Sequence, residues 1–143
     1  MLILLCVQST CVCVVPHLSY LCTLLTNNLS TLGMVYRAQS CGADYDRLRK
    51  DYSLGRPVQW GAFSSTSQNE GVSKRFINKA KGVLFKLTVV SGALVSEYSL
   101  FPMEGEVLLS PNTRFTVSRE LYTDEEGYAC IDLLEAHGRV FSS

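Results

Sequence analysis

Apolar positions along the chain change their spacing several times, and each change marks an element. From His17 to Leu32, Leu18, Leu21, Leu25, Leu29 and Leu32 recur at three- and four-residue intervals, and Leu24 widens the stripe. That period predicts one amphipathic helix, stopped by Gly33 just past its last periodic residue. Met34 to Ala38 is a short β-prone run carrying one arginine, Arg37. Residues 44–52 mix charges with a few apolar positions ahead of Gly55 and Pro57, which predicts a short helix and then a turn. Val58 to Phe63 reads as a strand with Val58, Trp60 and Ala62 on one face.

That strand runs into Ser64-Ser65-Thr66-Ser67. Ser67 and Glu70 stand at capping-box spacing, so a helix is expected to about Ala80, with Val72, Phe76 and Ala80 four apart and Ile77 beside them. The cap accounts for Ser67 and leaves Ser65 unexplained. After Gly82, Val83, Phe85, Leu87 and Val89 alternate with Leu84, Lys86, Thr88 and Val90, giving a strand with one wholly apolar face and one mixed face. A short strand at 93–96 leads to Pro102, and Glu104-Gly105-Glu106 precedes Val107-Leu108-Leu109. Thr113 to Ser118 and Tyr128 to Leu134 read as two more strands, separated by the acidic turn Thr123 to Gly127. Roughly six strands with two or three helices make an α+β chain. Neither helix–strand alternation nor a GxGxxG run supports a doubly wound nucleotide fold.

At 143 residues the chain is long enough for one domain with a core of its own. Thirteen Lys plus Arg balance thirteen Asp plus Glu, so no global field draws in nucleic acid or an anionic membrane, and an anionic ligand must be held locally. The balance hides an uneven distribution, since Arg37 is the first charged side chain. In the uncharged opening, a continuous apolar run extends only from Met1 to Val7, far short of the about 20 residues of a transmembrane span. Read on to Val15 it has the length of a secretory h-region but lacks the basic n-region. A signal peptide, a core segment and an irregular start all remain readings of residues 1–16, with the domain taken as 17–143. The first reading makes the protein secreted, and the others make it cytoplasmic.

Four of the six cysteines crowd that opening, and none forms a CxxC pair, which disfavours a zinc site. Cys41 and Cys130 would pair only in an oxidising compartment. His17 and His137, the two histidines, lie in no recognisable nucleophile or metal context. The pattern leaves the oligomeric state open.

Three separated features carry candidate chemistry: an arginine on a strand, a serine-rich strand end, and two carboxylates two residues apart. In extended backbone, residues i and i+2 share a face about 6.5 Å apart, which would let Glu104 and Glu106 address one ligand. In chain order the three resemble the arginine-specific mono-ADP-ribosyltransferase family, whose signature is an Arg, a Ser-Thr-Ser and a Glu-x-Glu on successive core strands. VYRA at 35–38 resembles the family's VYRG, and FSSTS at 63–67 contains its STS. YSLFPMEGEVLLSP at 98–111 is similar to its toxin-type turn-turn loop and catalytic strand, and IDLLEA at 131–136 to a closing strand. The resemblance covers about residues 20–136. It implies an ADP-ribosyltransferase fold of two packed, mostly antiparallel β-sheets with flanking helices, the N-terminal helical part shortened to 17–32.

The resemblance also implies roles. Arg37 would bind the pyrophosphate of NAD+, a task suited to a planar guanidinium. Ser65 would orient the nicotinamide ribose and the catalytic glutamate, Glu106, which bonds the ribose hydroxyl and stabilises an oxocarbenium-like state. Glu104 would position the acceptor guanidinium and take its proton, with Phe101 a candidate for acceptor contact. NAD+, or NADP+, would be consumed as co-substrate with no retained cofactor or metal, and the partner would be a protein with an exposed arginine. Two alternatives stand beside transfer: an NAD glycohydrolase using the same site with water, and an inactive NAD-binding module. The second is motivated by Ala38, which replaces the family's Gly where a methyl group would weaken NAD+ binding, and by the shortened N-terminal helical region.

Overall fold

The alternation over residues 82–89 becomes the spine of the fold. A computed structural model describes residues 33–95 and 105–136. Within them run β1 (Gly33–Ser40), α1 (Tyr45–Asp51), β2 (Pro57–Trp60), β3 (Ser64–Ser67), α2 (Glu70–Arg75), β4 (Gly82–Val89), β5 (Ala93–Leu94), β6 (Glu106–Leu109), β7 (Thr113–Thr123) and β8 (Ala129–Glu135). The helix expected over 17–32 lies outside the described residues, as do Phe101, Glu104, His17 and His137.

Hydrogen bonding links the strands in the order β2-β7-β8-β4-β1-β3-β6-β5. All pairs are antiparallel except β4 with β8. β1 pairs with β4 along its whole length, from Gly33 opposite Val89 to Ser40 opposite Gly82. Its link to β3 is a single pair, Tyr36 with Ser67. That seam divides a five-strand arm from a three-strand arm, β3-β6-β5, so where two sheets were expected the hydrogen bonding runs on as one eight-stranded sheet with a narrow join. One buried cluster draws on both: Val35, Val83, Phe85, Leu87, Val89, Phe115, Val117, Ile131 and Leu133 from the long arm, Val107 and Leu109 from the short one. The opposite face of β4 carries Leu84, packed with Ala38 and Cys130 in a smaller cluster, and then Lys86 and Thr88. The wholly apolar and mixed faces are thus as the alternation predicts.

Several boundaries differ from expectation for local reasons. The strand read over 58–63 ends at Trp60, and Ser64–Ser67 forms its own strand rather than the approach to a helix. Ser67 does not cap that helix. Its Oγ accepts from the Asn69 amide, and Asn69 is the N-cap, its side chain accepting from the Gly71 and Val72 amides. The helix stops at Arg75, not near Ala80, because only Val72 of its apolar row is buried, Phe76 is exposed, and Asn78 turns the chain by accepting from Ala80 and Lys81. β7 runs on to Thr123, five residues past the expected end, by absorbing two register shifts against β8. Eight strands therefore appear among the described residues instead of roughly six.

Cys41 and Cys130 are both free thiols. Cys130 sits in the smaller cluster, where burial pushes its thiol up to about 11, while Cys41 bonds the Lys81 carbonyl beyond the end of β1. No helix among the described residues is long and apolar enough to cross a membrane.

Candidate active site

β6 places its glutamate by register. Ser65 of β3 lies opposite Leu108, and Ser67 opposite Glu106, so Glu106 is the diagonal neighbour of Ser65. Facing partners in an antiparallel pair share a face, which sets Ser65 and Glu106 on one side of the short arm and Thr66, Val107 and Leu109 on the other. The Ser65 hydroxyl donates to Glu106 Oε1 at 2.6 Å, the short distance of a charge-assisted bond. Glu106 is fully buried. A carboxylate is kept in such a place only where it is hydrogen-bonded or used.

Arg37 reaches the same group from β1. Its position opposite Phe85 puts it on the face of Val35, beside the core. Nη1 donates to the Ser65 carbonyl oxygen at 2.9 Å, so one serine receives the arginine on its backbone and offers its hydroxyl to the glutamate. The guanidinium carbon lies 5.9 Å from the centre of the Trp60 ring. Burial lowers the Arg37 pKa, with the electrostatic influence of Tyr52 acting the other way. Among the described residues no carboxylate forms an ion pair with Arg37.

The three strands that bear these residues, β1, β3 and β6, are neighbours in the sheet order, and the site straddles the seam between the arms. Arg37, Ser65 and Glu106 come together as expected. Glu104 lies outside the described residues, and the residue that joins it to Glu106 is not in extended backbone. Gly105 has φ +56°, the left-handed region, so the backbone between the two glutamates turns rather than extends. Its carbonyl still accepts from the Gln68 amide at 2.9 Å, continuing the ladder, and a Cβ there would lie 3.3 Å from the Gln68 side chain. Ala38 points its methyl to the face opposite Arg37, into the cluster with Leu84 and Cys130, and its backbone is outside the left-handed region. What the sequence reading missed is Trp60, placed there only on one face of a strand with Val58 and Ala62. Its one signal was being the chain's single tryptophan, four residues before the serine run.

A model of the family described as NAD:arginine ADP-ribosyltransferase matches residues 16–139. The chain belongs to that family. As a member of the NAD:arginine ADP-ribosyltransferases it is 42% identical over 66 residues to human ecto-ADP-ribosyltransferase 5, a match covering 46% of this chain and 22% of that protein. The chain thus spans about a fifth of the length of the curated relatives it matches. Among solved structures, the ADP-ribosyltransferase Vis of Vibrio splendidus, determined with agmatine, superposes with a TM-score of 0.63 at 23% identity, over 83% of this chain and 56% of its own. HopU1 of Pseudomonas syringae gives 0.61 at 23% identity, over 75% and 46%. These likenesses establish the ADP-ribosyltransferase fold.

Proposed function

We propose that the domain, residues 17–143, transfers ADP-ribose from NAD+ to the arginine side chain of an acceptor protein and releases nicotinamide. The observation that carries this reading is the contact series Arg37, Ser65, Glu106 across three adjacent strands in a member of this family. A half-buried guanidinium with no carboxylate partner among the described residues suits a diphosphate, whose negative charge would make up for the solvation that burial removes. Glu106, held by the Ser65 hydroxyl, would bond the ribose hydroxyl and stabilise positive charge as the bond from the anomeric carbon to nicotinamide breaks, its electron pair leaving with nicotinamide. An acceptor guanidinium nitrogen then forms the new bond to that carbon, and Glu104 takes the proton the nitrogen sheds. NADP+ is the alternative co-substrate. The ecto- prefix of the relatives supports the secreted setting over the cytoplasmic one.

The test is nicotinamide release from NAD+ with and without an arginine-rich protein, followed by mapping of the product linkage. Release stimulated by the acceptor, with arginine-linked ADP-ribose, is the expected result. Release into water alone selects the glycohydrolase, and folded protein that releases nothing overturns both. Glu104→Gln should abolish transfer and spare hydrolysis, whereas Glu106→Gln should abolish both. Equal loss of both reactions in the Glu104 variant removes its assignment to the acceptor.

A further inference from the structure

Trp60 belongs to the strand at one edge of the long arm, and Arg37 to the strand at the other end of that arm. They meet because the arm curls until β2 closes over the core. The indole is fixed on three sides. Its ring centre lies 5.3 Å from Phe85, edge to face, and 5.0 Å from Phe115, and its Nε1 donates to the Tyr52 hydroxyl at 3.3 Å. Tyr52 is itself held by Phe85 at 5.1 Å. A tryptophan so constrained presents one orientation of its π-face to the guanidinium 5.9 Å away.

We infer that Trp60, locked by Tyr52, is a positioning residue for the dinucleotide: it carries the cation–π shelf that holds the Arg37 fork flat and aimed at the diphosphate. A guanidinium has several rotamers, and the Ser65 carbonyl engages only Nη1. The shelf removes the freedom that one hydrogen bond leaves, and in a partly desolvated setting a cation–π contact has the strength to do so. Ordering the arginine before the ligand arrives shows in affinity, not in the bond-breaking step. The inference rests on Arg37 being the diphosphate ligand.

The chain's one tryptophan makes a second readout available, since emission on excitation of tryptophan comes from Trp60 alone. NAD+ titrated into the full chain should change that emission with a saturating curve, and Arg37→Met should abolish the curve. Trp60→Leu should raise the calorimetric Kd and the KM for NAD+ about five- to tenfold with kcat within about twofold. Trp60→Phe, which restores an aromatic face, should bring the loss back to about twofold. Tyr52→Phe keeps the ring packing and removes only the indole's acceptor. It should raise Kd about two- to threefold and decides the matter if Trp60→Leu fails to fold. Unchanged NAD+ affinity in the Tyr52 and Trp60 variants overturns the inference, as does a fall in kcat with Kd intact. A wild-type protein that binds NAD+ with an emission change yet releases no nicotinamide would instead overturn the proposed activity and leave the shelf standing.

Discussion

Lys74 and Arg37, two of the partly buried cations among the described residues, sit in opposite company. Lys74, on α2, sits with a side chain 11% exposed between Glu70, Asp124 and Glu126 at 3.2, 3.1 and 3.0 Å, and above the Tyr128 ring. Arg37 sits on the inner face among aromatic rings and a carbonyl, with no ion pair among the described residues. Burial pulls both pKa values down, but the carboxylates around Lys74 more than reverse that effect, and its pKa ends well above the ordinary lysine value. At Arg37 burial prevails. A charge that the fold has neutralised is a fastener, here tying α2 to the turn between β7 and β8. A charge with no ion pair among the described residues suits the proposed role of receiving an anion from outside.

That contrast can be broken by experiment. The largest effect belongs to the group proposed to act on the reacting bond: Glu106→Gln should reduce nicotinamide release by about 10³-fold, measured in single-turnover assays, while circular dichroism shows an intact fold. Next, Arg37→Met should raise the Kd for NAD+ by about 50-fold, yet leave unfolding free energy within about 1 kcal/mol of wild type, since it removes a partly buried charge with no ion-pair partner among the described residues. Lys74→Met should do the reverse. Urea denaturation should show a loss of about 2 kcal/mol, moderated by the exposure of Glu126, and the KM for NAD+ should stay within about twofold. If Arg37→Met unfolds the protein, or Lys74→Met weakens NAD+ binding, the division between fastener and ligand fails.

The smallest effect is on pH dependence. Burial raises the pKa of Glu70, but hydrogen bonds from Lys86 and Lys74 bring it below the ordinary value. Burial likewise raises that of Asp124, and bonds from the Tyr128 amide and Lys74 bring it down. Their contribution to stability is therefore full above about pH 4 and is lost as pH falls through the depressed values. Lys74 and Lys86 are raised, so theirs is full below about pH 10 and is lost as pH rises through the elevated values. Melting temperature should be level between these limits and fall on both sides, and Lys74→Met should flatten the acid flank.

How much of this was legible in the sequence depended on whether a residue's partner was local. The apolar row of β4 and the Asp44-capped α1 announce themselves through spacing within one element. Ser64–Ser67 misled, because four hydroxyl residues before a helix look like a cap. Their burial as a strand depends on β6, where Thr66 bonds the Val107 carbonyl and Ser65 bonds Glu106, 41 residues away. The site triplet was readable only as an ordered motif. The position of Trp60 beside Arg37 follows from the curl of a five-strand arm, a sum of twists that no window of sequence records. The same limit applies at Gly105, where a residue type compatible with extension adopts a left-handed backbone state in place of the extended one the i, i+2 rule requires.

The place of β8 bears on how such a protein comes into being. This strand follows β7 in the chain yet lies inside the sheet, between β7 and β4, and Glu135 at its end accepts the amides of Val90 and Ser91 just beyond β4. During synthesis β4 must wait with an open edge until residues 129–135 have left the ribosome. A nascent chain that already contains Arg37, Ser65 and Glu106 therefore still lacks the parallel partner that completes its central sheet. The residues of the proposed site are thus synthesised before the strand that completes the framework holding them.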